Sequence, residues 1–434
     1  MEGSGKKDAR KSGRAGRGGL LSLTPLLIFL LVYVLSSVIA EDFYAVPVSS
    51  AFLIACVYAV AVAGGPLAER VRAFSKGAGN PDIMLMIWIF ILAGAFANTA
   101  KAIGSVDATV SLMLGIIPPG VILAGLFVTA CLISMAMGTS VGTIVALVPI
   151  GAGIAEQCGL SQPFMAAIIV GGAFFGDNLS FISDTTIAAT QAAGCEMADK
   201  FKANLLIVMP AFVIVTVIYV IMGREVGFSG DIAPANPLLV LPYLLVIVLA
   251  LLRLNVTLVL TLGVVVNAVI GFLTGSFGWT GWMKSAGEGI AGMSDLIIVT
   301  LLAGGLLEMI RRGGGLDLII NTLTRHIGGK RGAQAAIACL VSLANVCTAN
   351  NTIAIITTGR IAHDVAQRFG VPARKTASLM DTFSCLVQSL IPYGAQLLMA
   401  AGLASVSSSS IIPYLYYPFL MGLCAVISIA FSRR

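Results

Sequence analysis

The chain has 434 residues, 58% of them hydrophobic and only 11% charged, with a mean hydropathy of +0.99. Soluble domains carry about 25% charged residues, so a water-soluble fold is excluded. Apolar runs of about 20 residues also exclude the roughly 10-residue alternating strands of a membrane barrel. The net charge of +6 fits the Lys and Arg bias of cytoplasmic loops and calls for no nucleic-acid partner.

In chain order, residues 1–19 form a basic, Gly-rich tail, expected on the cytoplasmic side. The apolar run 20–40 exceeds the 7–15-residue core of a cleaved signal and reads as a retained first transmembrane helix. Further apolar spans are predicted at 46–67, 83–103, 119–137, 140–155, 164–195, 203–222, 238–252, 255–274, 294–310, 331–348, 351–366, 375–404 and 412–431. Two neighbouring pairs of spans meet at polar tips, Gly138-Thr139-Ser140 and Thr348-Ala349-Asn350-Asn351-Thr352. Polar backbone at membrane depth is tolerated only where protein or water surrounds it, so both pairs read as re-entrant hairpins. With the N-terminus inside, this layout puts 23 of the 26 Lys and Arg residues on one side. Lys200 counts there as a loop residue, and only Lys101, Arg224 and Lys284 fall opposite. A multi-pass protein of the cell (inner) membrane is expected, with both termini cytoplasmic and the lipid bilayer as its surroundings.

An internal repeat organises these spans. LAGAFANTAKAIGSVD (92–107) matches LAGGLLEMIRRGGGLD (302–317) at an offset of 210; Gly142-Thr143 matches Asn351-Thr352 at 209, and Leu179 matches Leu390 at 211. The first repeat is placed at 20–225 and the second at 235–434. An odd number of crossings in each turns the second upside down. The expected fold is an all-α polytopic membrane protein. It has two inverted repeats of about five transmembrane helices, each with a re-entrant hairpin, and broken helices at mid-membrane. Such repeats are typical of secondary transporters, whose sites lie between the repeats.

Residues 171–190, GGAFFGDNLSFISDTTIAAT, carry the chemistry. A charge at mid-bilayer costs about 2.5–3.5 kcal/mol on insertion scales, so Asp177 and Asp184 have no inexpensive structural explanation. Seven residues apart, they share a face of an unbroken helix. The glycines before them and the hydroxyl run after them predict unwinding near 177–185. Carboxylate, hydroxyl and freed carbonyl oxygens suit a small hard cation. Sodium fits, so Asp177, Ser180, Ser183, Asp184, Thr185 and Thr186 are the expected cation ligands. The corresponding stretch of the second repeat is broken by Pro392 and Gly394 but has no acid. Gln388, Ser389, Tyr393 and Gln396 are expected to form an opposite wall with the hairpin-tip residues Thr139, Ser140, Thr143, Asn350, Asn351 and Thr352. Asn98, Asn255, Asn267 and Glu308 read equally well as helix glue. The eight cysteines show no CxxC spacing, and His326 and His363 fall in basic loops.

GDNLSFISDTT resembles the signature of the NhaC-type sodium/proton antiporter family, close to G-D-K-x-S-P-x-S-D-T-T. GGAFFGD and NNTIAIITTGR also look like that family. The matching positions are Gly176, Asp177, Ser180, Ser183, Asp184, Thr185 and Thr186. Asn178 stands where the family often has Lys, and Phe181 where it often has Pro, so an internal cation is missing from the motif. The resemblance implies a secondary transporter without cofactor, moving Na⁺ and H⁺. Similar proteins also exchange malate for lactate or take up amino acids, and are commonly dimers.

Two functions follow. In sodium/proton antiport, burial disfavours a carboxylate's charged form, so protons and sodium compete for the Asp177/Asp184 pair. An empty charged site is held back by about 2.3 kcal/mol per charge per 100 mV. In sodium-coupled uptake of an amino acid or small organic acid, the hairpin N-termini would bind the solute's carboxylate. An enzyme is disfavoured, because no nucleophile with a partner base is visible. A channel fits the asymmetric repeats less well than alternating access does.

Overall fold

The computed structural model describes residues 20–33, 35–36, 39, 47–181, 183–227, 236–252, 254–324 and 327–432. The basic tail 1–19, the end of the first apolar run, Arg253 and His326 lie outside the described residues. The described chain is helical. Its first half holds α1 (Leu20–Tyr33), α2 (Val48–Val62), α3 (Leu67–Ala78), α4 (Pro81–Ala102), α5 (Ser105–Ile116), α6 (Ile122–Met137), α7 (Ser140–Cys158), α8 (Gln162–Leu179), α9 (Asp184–Ala193) and α10 (Met197–Gly223). The second half holds α11 (Pro237–Leu251), α12 (Val256–Thr274), α13 (Trp279–Gly292), α14 (Ser294–Arg312), α15 (Gly315–Thr324), α16 (Gly329–Thr348), α17 (Asn351–Phe369), α18 (Ala373–Leu390), α19 (Ala395–Ala404), α20 (Ser408–Ile411) and α21 (Tyr416–Ala430).

Among the described residues, six helical segments are long and apolar enough to cross a membrane, or eight when two bent pairs each count as one span. Helices α3, α5, α13 and α15 fall where loops were expected. They are 10–14 residues long, too short to cross alone, and α13 joins α14 as one of the bent pairs. His363 is also helical, in α17, and not in a loop.

The helix boundaries repeat with one spacing. The ends of α6 and α16, both ends of α7 and α17, of α8 and α18, and of α9 and α19 each lie 211 positions apart. This register pairs Ser140 with Asn351 and Asp177 with Gln388, so the Gly142-Thr143 match at 209 is two residues out. The packing repeats as well. α6 packs on α7 and α8, as α16 does on α17 and α18. After each break, the short helix crosses to the other half: α9 packs on α17, and α19 packs on α7.

Local chemistry explains the turns and the close approaches. The hairpin tips turn through the left-handed region at Gly138 (φ 70°) and Ala349 (φ 47°), a conformation that costs an L-residue about 1–2 kcal/mol. A Cβ on Gly176 would sit 2.3 Å from the Met135 backbone nitrogen. Glycine there lets α8 lie directly against α6, and Ser134 Oγ donates across that seam to the Ala173 carbonyl at 2.6 Å. Of the four residues that read equally well as helix glue, Asn98 and Asn267 bond across helices, to the Ser285 carbonyl at 2.7 Å and to Thr99 Oγ1 at 2.9 Å. Asn255 caps its own helix, α12, and Glu308 pairs with Arg311 on its own helix.

Candidate functional site

Both broken helices fall where the sequence places them. α8 stops at Leu179, and Ser180 and Ser183 are extended before α9 begins. α18 stops at Leu390, before Pro392 and Gly394, and α19 resumes at Ala395. Proline has no N–H to continue the ladder, and serine side chains compete for backbone partners.

Asp177 lies in the last turn of α8 and is 5% exposed. Ser183 Oγ donates to its Oδ1 at 2.6 Å, and Ser140 Oγ donates to its Oδ2 at 2.9 Å. Ser183 occupies the N-cap position of α9, yet its side chain does not cap the helix. It serves the carboxylate instead and shares a 2.7 Å hydrogen bond with Thr185 Oγ1. A relay leads away from the other carboxylate oxygen. Gln396 Nε2 donates to Ser140 Oγ (3.1 Å), and Gln388 Nε2 donates to Gln396 Oε1 (2.8 Å) and to the Ala349 carbonyl (3.0 Å). The acid of one half is thus wired to both hairpin tips and to its amide counterpart in the other half.

Asp184 does not share this site. The helix is interrupted between Leu179 and Asp184, so the seven-residue helical spacing from Asp177 does not apply. Asp184 is exposed and lines a different cavity of about 530 Å³, with Gln191, Thr352, Arg360 and His363. Among the described residues no hydrogen bond joins Asp184 to Asp177, whose carboxylate is held by the Ser140 and Ser183 hydroxyls instead.

The remaining expected residues divide. Ser180 Oγ donates to the Met135 carbonyl (2.9 Å) and Thr186 Oγ1 to the Ser180 carbonyl (2.8 Å), which fixes the break. Thr143 bonds back to the Thr139 carbonyl (3.1 Å) and Ser389 back to Leu386 (2.6 Å). Tyr393 donates to the Val346 carbonyl at 2.7 Å, and Asn350 caps α17 through the Ile353 N–H at 3.0 Å. Asn351 is buried, with no partner for its Nδ2. Thr348, Asn350, Tyr393 and Ala395 line a cavity of about 200 Å³ that also meets Asp82, Glu308 and Arg311.

Two residues outside the expected set sit beside Asp177. Among the described residues, the buried charged side chains are Asp177, Lys200 and Asp381. Lys200, near the start of α10, forms an ion pair with Asp381 of α18. Its Nζ also donates to the Asn178 carbonyl at 2.5 Å and to Thr186 Oγ1 at 2.6 Å. Asn204 Nδ2 reaches Asp381 Oδ2 at 3.1 Å and Asn178 Oδ1 at 3.0 Å. Lys200 is thus no loop charge: its head turns inward to the helix break. Its ammonium lies against the backbone of Asn178, where the resembling motif often has Lys. Asp381 lies inside the predicted span 375–404, where the rule that singles out Asp177 applies equally.

The family profile described as the Na+/H+ antiporter family matches residues 20–224 and 232–432. The malate-2H(+)/Na(+)-lactate antiporter of Bacillus subtilis is 25% identical over 375 residues, covering 77% of this chain and 78% of that protein. The Na(+)/H(+) antiporter NhaC of Alkalihalophilus pseudofirmus is 25% identical over 380 residues, covering 80% and 81%. The crystal structure of the Alcanivorax borkumensis YdaH transporter, described as having an unusual topology, matches at 14% identity with a TM-score of 0.38. That match covers 84% of this chain and 87% of the other.

Proposed function

The chain belongs to the Na+/H+ antiporter family, a family of transporters and not of enzymes, and we propose that it exchanges Na⁺ for H⁺ at Asp177. The observation that carries this reading is a buried carboxylate at a helix break, held by two serine hydroxyls. One oxygen-rich site then takes a proton or a sodium ion in turn. With either bound, its charge is reduced and the loaded site crosses the field at lower cost. Ser140, Ser183 and Thr185 are the oxygens placed to join Asp177 around sodium. The relay through Gln396 and Gln388 links the site's occupancy to the second half. Alternating access would move the two halves, inverted relative to one another, about this site in the inner membrane, with both termini cytoplasmic. A homodimer is compatible with this scheme but is not needed for it.

The test is transport by purified protein in liposomes, with sodium and pH gradients imposed separately. Sodium-driven proton movement without an organic solute is expected. Its absence, together with sodium-dependent accumulation of a labelled amino acid or organic acid, would favour the second reading. In that reading Asp177 holds the coupling sodium, and the solute sits in the cavity between Asn350, Tyr393 and Arg311. The guanidinium could pair with a carboxylate there.

A further inference from the structure

We propose that Asp381, the Asn178 carbonyl and Thr186 Oγ1 form a second monovalent-cation site, which Lys200 fills with its own ammonium. An ammonium has three N–H donors and no acceptor, and here it meets three oxygens: a carboxylate, a carbonyl and a hydroxyl. This is the all-oxygen donor set that a hard cation of the same charge takes. The site also has spare capacity. Asp381 Oδ1 receives only the Cys385 thiol, at 3.7 Å. Asn204, fully buried beside it, keeps its Oδ1 without a partner.

A purely structural staple is the competing explanation. Buried ion pairs add little net stability, because desolvating both charges offsets their attraction. A staple also does not call for placement at a helix break adjoining the transport carboxylate. Asn178 follows Asp177 directly, so the two sites share the broken segment. With Lys200 in place, the core holds two carboxylates and one built-in cation, and so takes one metal cation. This inference rests on the antiport reading for the first site only.

The test counts sodium ions bound to purified protein in detergent. Wild type is expected to bind one. Lys200→Met is expected to bind two, and Lys200→Met with Asp381→Asn to return to one. The variant combining Lys200→Met with Asp177→Asn isolates the second site and should bind one. No sodium bound by wild type would overturn the Asp177 reading, while the gain on removing Lys200 would stand or fall by itself. A folded Lys200→Met protein binding no more sodium than wild type overturns this proposal. If Lys200→Met is unstable in choline buffer, sodium should restore its Tm towards that of wild type, where potassium or choline at equal strength restores less. A variant unfolded equally in all three salts also overturns it.

Discussion

Replacing Asp177 with Asn removes a charge while leaving the local geometry almost unchanged. The amide nitrogen can take the place of Oδ1 and donate to Ser183 Oγ. Ser183 then turns its proton to Thr185 Oγ1, already 2.7 Å away. The amide oxygen keeps the bond from Ser140 at Oδ2. Charged hydrogen bonds become neutral ones, which costs about 1 kcal/mol and a few degrees of Tm at most. The loss to a bound cation is larger. A unit charge at about 4 Å and an effective dielectric of 20 contributes about 4 kcal/mol, or roughly a thousandfold in Kd. Calorimetric sodium titration and sodium-driven proton flux in liposomes should both collapse, while Tm stays near that of wild type. A folded Asp177→Asn protein that keeps sodium affinity within tenfold would refute the assignment. So would one whose Tm falls as steeply as its affinity, since the carboxylate would then serve the fold.

A carboxylate must shed its proton to hold sodium, so lowering the pH should raise the KM for sodium in flux assays. Where the acid is mostly protonated, the rise approaches tenfold per pH unit; a KM indifferent to pH would contradict competition at one site. Asp184→Asn, on an exposed residue facing Arg360 and His363, is expected to change sodium affinity less than about threefold, measured by the same titration. Ala349 pays the left-handed penalty that Gly138 escapes. Ala349→Gly should therefore stabilise the protein by about 1 kcal/mol and Gly138→Ala destabilise it by a similar amount, read as opposite Tm shifts in detergent.

The helix breaks were legible because hydroxyl, amide and proline residues interrupt otherwise apolar runs, and Asp177 stood out for the same reason. Asp184 is set apart from Asp177 by the feature that makes it conspicuous: the serines that break the helix also cancel the two-turn spacing that would align the acids. The sequence does not single out Lys200, because α10 begins at Met197, before the apolar run at 203. Its charge then looked like a loop residue obeying the inside bias. Asp381 was diluted by its apolar span, and its partner comes from a helix about 180 residues earlier. Only the folded chain brings the two together. Two of the three sequence matches lie within one residue of the 211 spacing of the helix boundaries, and the Gly142-Thr143 match is out of register.

The crossing of α9 onto α17 and of α19 onto α7 makes the two halves mutually dependent. Neither half finishes its own pocket; each lends the short helix after its break to its neighbour's hairpin. Either half alone would lack the short helix that packs on its hairpin. Within one polypeptide the two halves are free to differ, and position 388 holds a glutamine where position 177 holds an acid.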